Sequence, residues 1–396
     1  MTSEVVIMNK NAIVMAADSA VTVGGTKTYN GVNKLFILSN SPPMGIMIFG
    51  SADFENIPME TLIKEFKRKT EFEKCNDIEM IKDEFLKFLS ENTPKTDMKN
   101  KIEITLPLFK NFMKLELENI PIDDFEEFII SQGKRKLPDF LNEIEELNNY
   151  KYEFEELIPA EIDANKHGLL IESLKNIFFD FIASMSTGIV IAGFNENEMF
   201  PSCMQFNIHF NYNNNVKISN YDYLINYDGN AIIPFAQKEV MKTFIRGIDD
   251  NIKYSAIIYF QKFIEDYLEE LKNNLNSNSK LKNEPLKEIN NEIDKFIEDS
   301  ENQSNKFLKN LGKLEDTFTK PILDSIGGLP KNELANLGES LIHITSLKRK
   351  ISADLESVGG DIDVAIISKG DGFIWKKQKQ YFESELNPQF FEIENK

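Results

Sequence analysis

Three residues near the N-terminus have the types that acyl-transfer chemistry needs. Thr2 follows Met1 directly, and Asp18 and Lys34 lie further along the same segment. If Met1 is removed, Thr2 carries both a hydroxyl nucleophile and a free α-amine, and methionine aminopeptidase generally removes Met1 before a residue as small as threonine. One hydroxyl, one amine base, one lysine and one carboxylate together form a self-contained acyl-transfer site.

The α-amine of a terminal threonine suits the role of general base. Its ordinary pKa is about 7.7–8.0, close to working pH. The cation of Lys34 lowers that pKa further when it is near, and Asp18 holds the lysine in place. The oxyanion needs a backbone N–H donor at a glycine-bearing turn, and we choose Gly50 for it. If the assigned position is displaced by one residue along the sequence, the oxyanion donor is the amide of Phe49 or of Ser51.

The elements around these residues favour a β-rich start to the chain. Apolar and alternating residues predict four short strands, over 3–8, 12–17, 33–38 and 44–49. Asp18 follows the second strand, Lys34 opens the third and Gly50 ends the fourth. Two successive hairpins would therefore bring the polar side chains to one end of a sheet.

The same residues resemble a known family, the proteasome β-subunits and their bacterial relatives among the N-terminal nucleophile hydrolases. The matching segments are Thr2, Ala16-Ala17-Asp18-Ser19, Val32-Asn33-Lys34 and Phe49-Gly50-Ser51-Ala52-Asp53. In that family the threonine hydroxyl attacks a peptide carbonyl, and a lysine and an aspartate complete the core of the site. The resemblance assigns these roles to Thr2, Lys34 and Asp18.

A second match lies near the C-terminus. Asp354 and Ser357 form an Asp-x-x-Ser pair ahead of Val358-Gly359-Gly360 and an apolar segment over 362–367. The family has such a pair before a glycine-rich turn and its last main strand. The resemblance implies that Asp354 and Ser357 form hydrogen bonds around the amine of the nucleophile.

The resemblance also implies the fold and its organisation. We expect an α+β protein with a four-layer αββα sandwich, formed by one domain over 1–380 and followed by a tail over 381–396. The core segments are about 2–72, 168–247 and 337–380, with large helical insertions over 73–167 and 248–336. Within the last two core segments the pattern predicts helices over 168–184, 234–245 and 337–351.

Both insertions are rich in Glu, Lys and Asn and are predicted to be helical. Residues 253–275 carry an apolar stripe at helical spacing, and 286–311 form a second amphipathic helix. These helices either pack on the core as a hairpin or act as a cap, gate or docking arm. In the first insertion Phe109, Met113 and Phe128 predict a small satellite core.

Composition excludes several other classes of function. The chain has 396 residues, with 45 Lys plus Arg against 64 Asp plus Glu, so its formal net charge is −19. Such a charge disfavours nucleic-acid binding. Two cysteines and three scattered histidines offer no disulfide framework and no metal site. No signal peptide or membrane span is predicted, so we expect a cytoplasmic protein. The sequence predicts no cofactor.

These observations predict a threonine peptidase that cleaves peptide bonds through an acyl-enzyme on Thr2. The resemblance implies a homo-oligomer that acts on peptides or unfolded proteins, and an ATP-dependent unfoldase could serve it as a partner. Two alternatives stay open. The chain could be an amidohydrolase of the same superfamily acting on a small amide, or a catalytically silent scaffold that binds partners through its helical insertions.

Overall fold

The computed structural model describes residues 2–23, 27–75, 77–118, 120–133, 144–196, 198–225, 230–277, 284–352 and 358–387. Within these ranges the chain forms a mixed α+β structure. The strands are β1 (Ser3–Met8), β2 (Ile13–Ala17), β3 (Val21–Val23), β4 (Lys27–Tyr29), β5 (Leu35–Asn40), β6 (Pro43–Gly50), β7 (Asp53–Phe54), β8 (Ile57–Pro58), β9 (Thr187–Gly193), β10 (Ser202–Tyr212), β11 (Asn215–Ile225), β12 (Ala231–Ala236), β13 (Asp363–Ser368) and β14 (Gly372–Lys377). The helices are α1 (Met59–Lys69), α2 (Ile78–Asn92), α3 (Met98–Leu117), α4 (Phe125–Gly133), α5 (Lys151–Glu155), α6 (His167–Ser184), α7 (Glu239–Arg246), α8 (Asp250–Ser277), α9 (Glu284–Glu298), α10 (Ser300–Gly327) and α11 (Lys331–Ile351).

Ten of these strands form two antiparallel sheets of five. The first sheet has the order β12-β1-β2-β13-β14, and the second has the order β11-β10-β9-β6-β5. The N-terminal hairpin of β1 and β2 thus lies in the middle of the first sheet. Its neighbours on both sides, β12 and β13, come from much later in the chain.

Alternation along β1 shows how the two sheets pack. Val6 and Met8 belong to a buried cluster that also contains Met47 and Val190 from the second sheet. Val5 and Ile7 point the other way, into a cluster with α11. Because successive side chains of a strand point to opposite faces, the inner face of β1 meets the second sheet and the outer face meets helices.

Helices cover the outer faces of both sheets. On the first sheet α7, α10 and α11 contribute Met241, Ile326 and Leu341 to the outer cluster. On the second sheet α1 and α2 contribute Phe66 and Phe85. Burial of large apolar side chains in these clusters supplies hydrophobic free energy that holds the helices on the sheets.

The helical segments between the sheet strands differ in how far they are buried. Helices α3, α4, α5 and α6 enclose their own cluster around Phe109, Phe154 and Phe178, which reaches the second sheet at Phe210. Helix α8, in contrast, has no buried residue and contacts α9 and α10. It carries exposed aromatic side chains at Tyr259 and Phe263.

Several predicted elements form close to where the sequence placed them. The strands predicted over 3–8, 12–17 and 44–49 correspond to β1, β2 and β6, and the helices over 168–184 and 253–275 to α6 and α8. The third strand begins at Leu35, so Lys34 lies one residue before β5 instead of within it.

Two predicted helices are wrong. Residues 234–245 do not form one helix, because residues 231–236 pair with β1 as strand β12 and α7 begins only at Glu239. The helix predicted over 286–311 is interrupted at Asp299, where α9 ends and α10 begins. The carboxylate of Asp299 accepts hydrogen bonds from the side chains of Asn302 and Gln303 in the first turn of α10.

Candidate active site at the N-terminal hairpin

Thr2 lies directly before β1, at the end of the first sheet. Its side chain is 3% exposed, and its carbonyl accepts a 3.2 Å hydrogen bond from the amide of Gln237, just after β12. The hydroxyl oxygen meets no partner at hydrogen-bonding geometry within the described part of the chain. Buried polar groups are nearly always bonded, so an unbonded one requires an explanation such as catalysis.

Asp18 is the most strongly held side chain of this region. Its Oδ1 accepts hydrogen bonds from the Ser3 amide at 3.0 Å and from Lys34 Nζ at 2.5 Å. Its Oδ2 accepts from the amides of Ala20 at 3.3 Å and Gly359 at 3.0 Å. Four donors from separate parts of the chain fix the orientation of this carboxylate, which is 1% exposed.

Lys34 contacts two carboxylates. Its Nζ lies 2.5 Å from Asp18 Oδ1 and 3.6 Å from Glu4 Oε1, and the lysine side chain is 3% exposed. The Lys34 carbonyl accepts a 2.8 Å hydrogen bond from the amide of Ile48, which holds the start of β5 against β6. The ammonium group is therefore fixed beside the residues that follow Thr2.

Glu4 is a residue of this site that the sequence analysis missed. It is fully buried on β1, and burial raises the pKa of its carboxyl to about 8, with the Lys34 cation opposing this shift and Asp18 adding to it. The Thr2 hydroxyl is close enough to lower that pKa slightly, although it does not reach full hydrogen-bond geometry. The alternation of side chains along the strand was the available sequence signal. It places Glu4 on the inner face with Thr2, Val6 and Met8, where a charged residue is exceptional.

Gly50 ends β6 in a left-handed conformation, with φ of +79°. A Cβ atom at this position would lie 2.7 Å from the Ser186 carbonyl oxygen, so both the backbone angle and the space require glycine. The neighbouring amide of Ser51 donates to that same carbonyl at 3.2 Å. Of the candidate oxyanion donors, Ser51 therefore already has a partner.

The ring of Phe49 connects the end of β6 to the first sheet. It stacks on Phe235 with 5.6 Å between the ring centroids, and Phe235 is the β12 residue paired with Glu4. The segment chosen for the oxyanion donor is thus linked through one aromatic pair to β12, the strand that pairs with β1.

Asp354 and Ser357 lie outside the described residues. The turn that follows them does reach the site, because the Gly359 amide donates to Asp18 and the Gly359 carbonyl accepts from Ser19 at 3.3 Å. The structure thus brings Thr2, Asp18 and Lys34 together, adds Glu4 to them and connects them to the C-terminal part of the chain.

Other kinds of site receive no support from side-chain geometry. Across the described ranges, no three His, Cys, Asp or Glu side chains are grouped as metal ligands. The described helices include none with the length and apolar character needed to cross a membrane. Cys75 and Cys203 are both free thiols in buried positions.

Comparisons with known proteins add little. No family model and no curated protein matches the chain. Among solved structures, the chain is similar to Anbu (ancestral beta-subunit) from Yersinia bercovieri, with a TM-score of 0.31 and 9% identity, over 98% of this chain and 93% of that one. At so low a TM-score the likeness carries no weight, and the site must be judged on its own geometry.

Proposed function

We propose that this chain is a threonine peptidase of the proteasome β-subunit kind, with Thr2 as its nucleophile after removal of Met1. The observation that carries the proposal is the buried ion pair of Lys34 and Asp18. One oxygen of Asp18 binds both Lys34 Nζ and the amide of Ser3, the residue next to Thr2. Lys34 is thereby tied to the backbone next to Thr2, whose buried hydroxyl has no partner at hydrogen-bonding geometry among the described residues, and we assign to Lys34 the activation of that hydroxyl.

The reaction begins when Thr2 Oγ1 attacks the carbonyl carbon of a peptide bond. The Thr2 α-amine takes the hydroxyl proton, and the developing charge of the attacking oxygen is stabilised by the nearby Lys34 cation. Collapse of the tetrahedral intermediate breaks the C–N bond, and the leaving amine takes the proton from the α-ammonium group. Water then hydrolyses the resulting ester, with the same amine as base, and restores the hydroxyl.

The other residues of the proposed site have supporting roles. Asp18 holds Lys34 and the Ser3 amide in place, and the Gly50 amide is assigned to the oxyanion. Asp354 and Ser357 are assigned to the hydrogen bonds of the Thr2 amine, by resemblance. Because removal of one oxyanion donor commonly lowers turnover by about 10²–10³, the assignment of the Gly50 amide has a measurable consequence.

The proposal includes the fold and the setting of the enzyme. Two facing sheets with helices on both outer faces support a four-layer αββα sandwich, formed by the core segments 2–72, 168–247 and 337–380. We propose a cytoplasmic homo-oligomer that acts on peptides or unfolded proteins and can be served by an ATP-dependent unfoldase. The oligomer and the unfoldase rest on the resemblance alone.

The experiment is intact-mass analysis of the purified protein with and without a peptide epoxyketone. Such a probe forms its ring adduct only with a hydroxyl and a free amine on the same residue. We expect loss of Met1 and one adduct per chain. Thr2→Ala keeps a small second residue, so Met1 is still removed, but the adduct must be absent.

Ser3→Ala is the matched control, since Ser3 is the adjacent buried residue and its hydroxyl is also unbonded among the described side chains. It should keep the adduct. Retention of Met1 in the native protein, or a free Thr2 that never reacts, would contradict the proposal.

A second candidate function is partner binding through α8. This helix exposes 72% of Tyr259, 65% of Phe263 and 59% of Tyr267, and these residues lie four apart on one helical face. A scaffold of this kind would keep its biological activity in Thr2→Ala. The remaining rival, an amidohydrolase of a small amide, would show a narrow, non-peptide substrate profile.

A further inference from the structure

Glu4 stands out among the buried charged residues because nothing neutralises it fully. Its strand neighbours in register are Ala17 on β2 and Phe235 on β12, which offer no charge. Neither carboxyl oxygen has a partner at full hydrogen-bond geometry within the described chain, although the Thr2 hydroxyl and Lys34 Nζ are close enough to lower the pKa of Glu4. Its closest charged contact is Lys34 Nζ, at 3.6 Å.

The charges around Glu4 do not balance if its carboxyl is ionised. Lys34 supplies one positive charge, and Asp18 already binds it at 2.5 Å. On β13, which lies beyond β2, the Asp363 carboxylate pairs with Lys379 and is thereby neutralised separately. A second buried carboxylate that shares one cation is costly, so at neutral pH Glu4 retains its proton.

We propose that Glu4 is a positioning residue of the threonine site, whose neutral carboxyl leaves Lys34 directed at Asp18 and Thr2 and whose ionisation switches the site off at alkaline pH. This inference rests on the proposed function of Thr2. It assigns to the chain a built-in upper pH limit, set by a group that does not touch the substrate.

The physical reason lies in the charge that develops during attack. An ionised Glu4 would place a negative charge beside Thr2 Oγ1, where negative charge must accumulate in the transition state. It would also attract Lys34 Nζ away from Asp18, because both carboxylates would then compete for the same ammonium group. Both effects raise the barrier, while loss of a proton from the Thr2 amine at lower pH acts in the opposite direction.

The test measures the rate of epoxyketone adduct formation between pH 6 and pH 10 in the processed protein. Native protein should lose rate above its optimum, to about a tenth of the plateau one pH unit above the Glu4 pKa. Glu4→Gln, a neutral isostere, should react at neutral pH and keep its rate through the alkaline range. Glu60→Gln, which removes an outward carboxylate bonded to Asn33, is the control and should follow the native profile.

The outcomes separate the two proposals. If native protein and Glu4→Gln lose rate identically at alkaline pH, Glu4 has no positioning role although Thr2 is reactive. If the native protein forms no adduct at any pH, the nucleophile assignment fails, and the role of Glu4 fails with it.

A second measurement applies even if Glu4→Gln does not fold. In native protein with ¹³C-labelled glutamate carboxyls, one carboxyl should titrate with the same midpoint as the alkaline loss of rate. Titration of every glutamate carboxyl near the ordinary pKa of 4.5 would overturn the inference.

Discussion

The nitrogen of Lys34 lies 2.5 Å from Oδ1 of Asp18, and both side chains are almost completely buried. The same carboxylate accepts hydrogen bonds from three backbone amides, those of Ser3, Ala20 and Gly359. This pair is therefore both an ion pair and the point where separate parts of the chain are tied together.

Asp18→Asn should lower both stability and reactivity. The substitution leaves Lys34 without its closest anion, and breaking one partner of a buried pair costs about 3–5 kcal/mol. The new amide group also cannot accept from the Ala20 and Gly359 amides at its nitrogen. We expect a lower urea midpoint and an adduct rate reduced by about 10² or more.

The exposed pair of Glu60 and Lys64 provides the comparison. Its side chains are 37% and 64% exposed, so Glu60→Gln should change stability by less than about 1 kcal/mol. Equal losses in the two variants, or a native adduct rate in Asp18→Asn, would contradict the role given to Asp18.

Gly50→Ala should be far more damaging than Gly372→Ala. Both glycines have nearly the same left-handed φ, +79° and +78°, so both substitutions incur a similar strain of about 1–2 kcal/mol. Only at Gly50 would the new methyl group lie 2.7 Å from a backbone oxygen, whereas nothing lies within 4 Å at Gly372. Chemical denaturation should show the extra loss, and only Gly50→Ala should lower the adduct rate. Similar behaviour of both variants would exclude a special role for Gly50.

Glu4 should make the folded state less stable as pH rises from 6.5 to 8. The folded pKa is about 8, above the ordinary 4.5, so in this window the folded chain holds a proton that the unfolded chain releases. The stabilisation of the folded state by protonated Glu4 is complete below the pKa of the unfolded state and is lost as pH rises through the pKa of the folded state. The unfolding constant of native protein relative to Glu4→Gln should grow by about tenfold per pH unit. Urea titrations at fixed pH steps measure this, and parallel curves would contradict it.

His209 should weaken the fold at acidic pH. Burial, with help from the Lys101 cation, lowers the pKa of His209 from 6.5 to about 4. Below pH 6.5, His209 binds a proton in the unfolded state but not in the folded state. The free energy of unfolding therefore falls as pH falls from 6.5 towards 4. Thermal unfolding of His209→Gln should show a shallower acid loss than native protein. His343→Gln, at a histidine that is 63% exposed, should keep the native slope.

The two phenylalanines of α8 should respond differently to truncation. Phe260 stacks on Phe307 of α10 with 4.4 Å between centroids, so Phe260→Ala should cost about 1–3 kcal/mol. Phe263 is 65% exposed, and its removal should leave monomer stability nearly unchanged. If α8 binds a partner, native mass spectrometry should show loss of the complex in Phe263→Ala but not in Phe260→Ala. A stability loss in Phe263→Ala equal to that in Phe260→Ala would show that this face is already packed.

Local pattern was sufficient to predict the N-terminal hairpin and the neighbourhood of its polar residues. The strands β1 and β2 pair through a short turn, so sequence spacing alone places Asp18 near the start of β1. Glu4 was overlooked although strand alternation places it on the inner face of β1, where a charged residue is exceptional. The spacing does not reveal that Glu4 shares Lys34 with Asp18.

Elements defined by distant pairing were harder to predict. Residues 231–236 form a strand only because β1 provides its partner, and their sequence alone was compatible with the start of a helix. The break at Asp299 does have a sequence signal, because residues 298–306 are all polar and interrupt the apolar stripe between Ile297 and Phe307. The amide of Gly359, a fourth donor to Asp18, is invisible from the sequence.

The hydrogen bond between Asp18 and Gly359 spans 341 residues. On the ribosome, the N-terminal hairpin emerges first, and at that stage it has neither β12 nor β13 beside it. Lys34 and Asp18 can meet early, but the carboxylate is fully oriented only after the last sheet strands have been synthesised. If Thr2 is the nucleophile that we propose, a nascent chain lacks the complete site until β12, the turn at Gly359 and β13 have been synthesised.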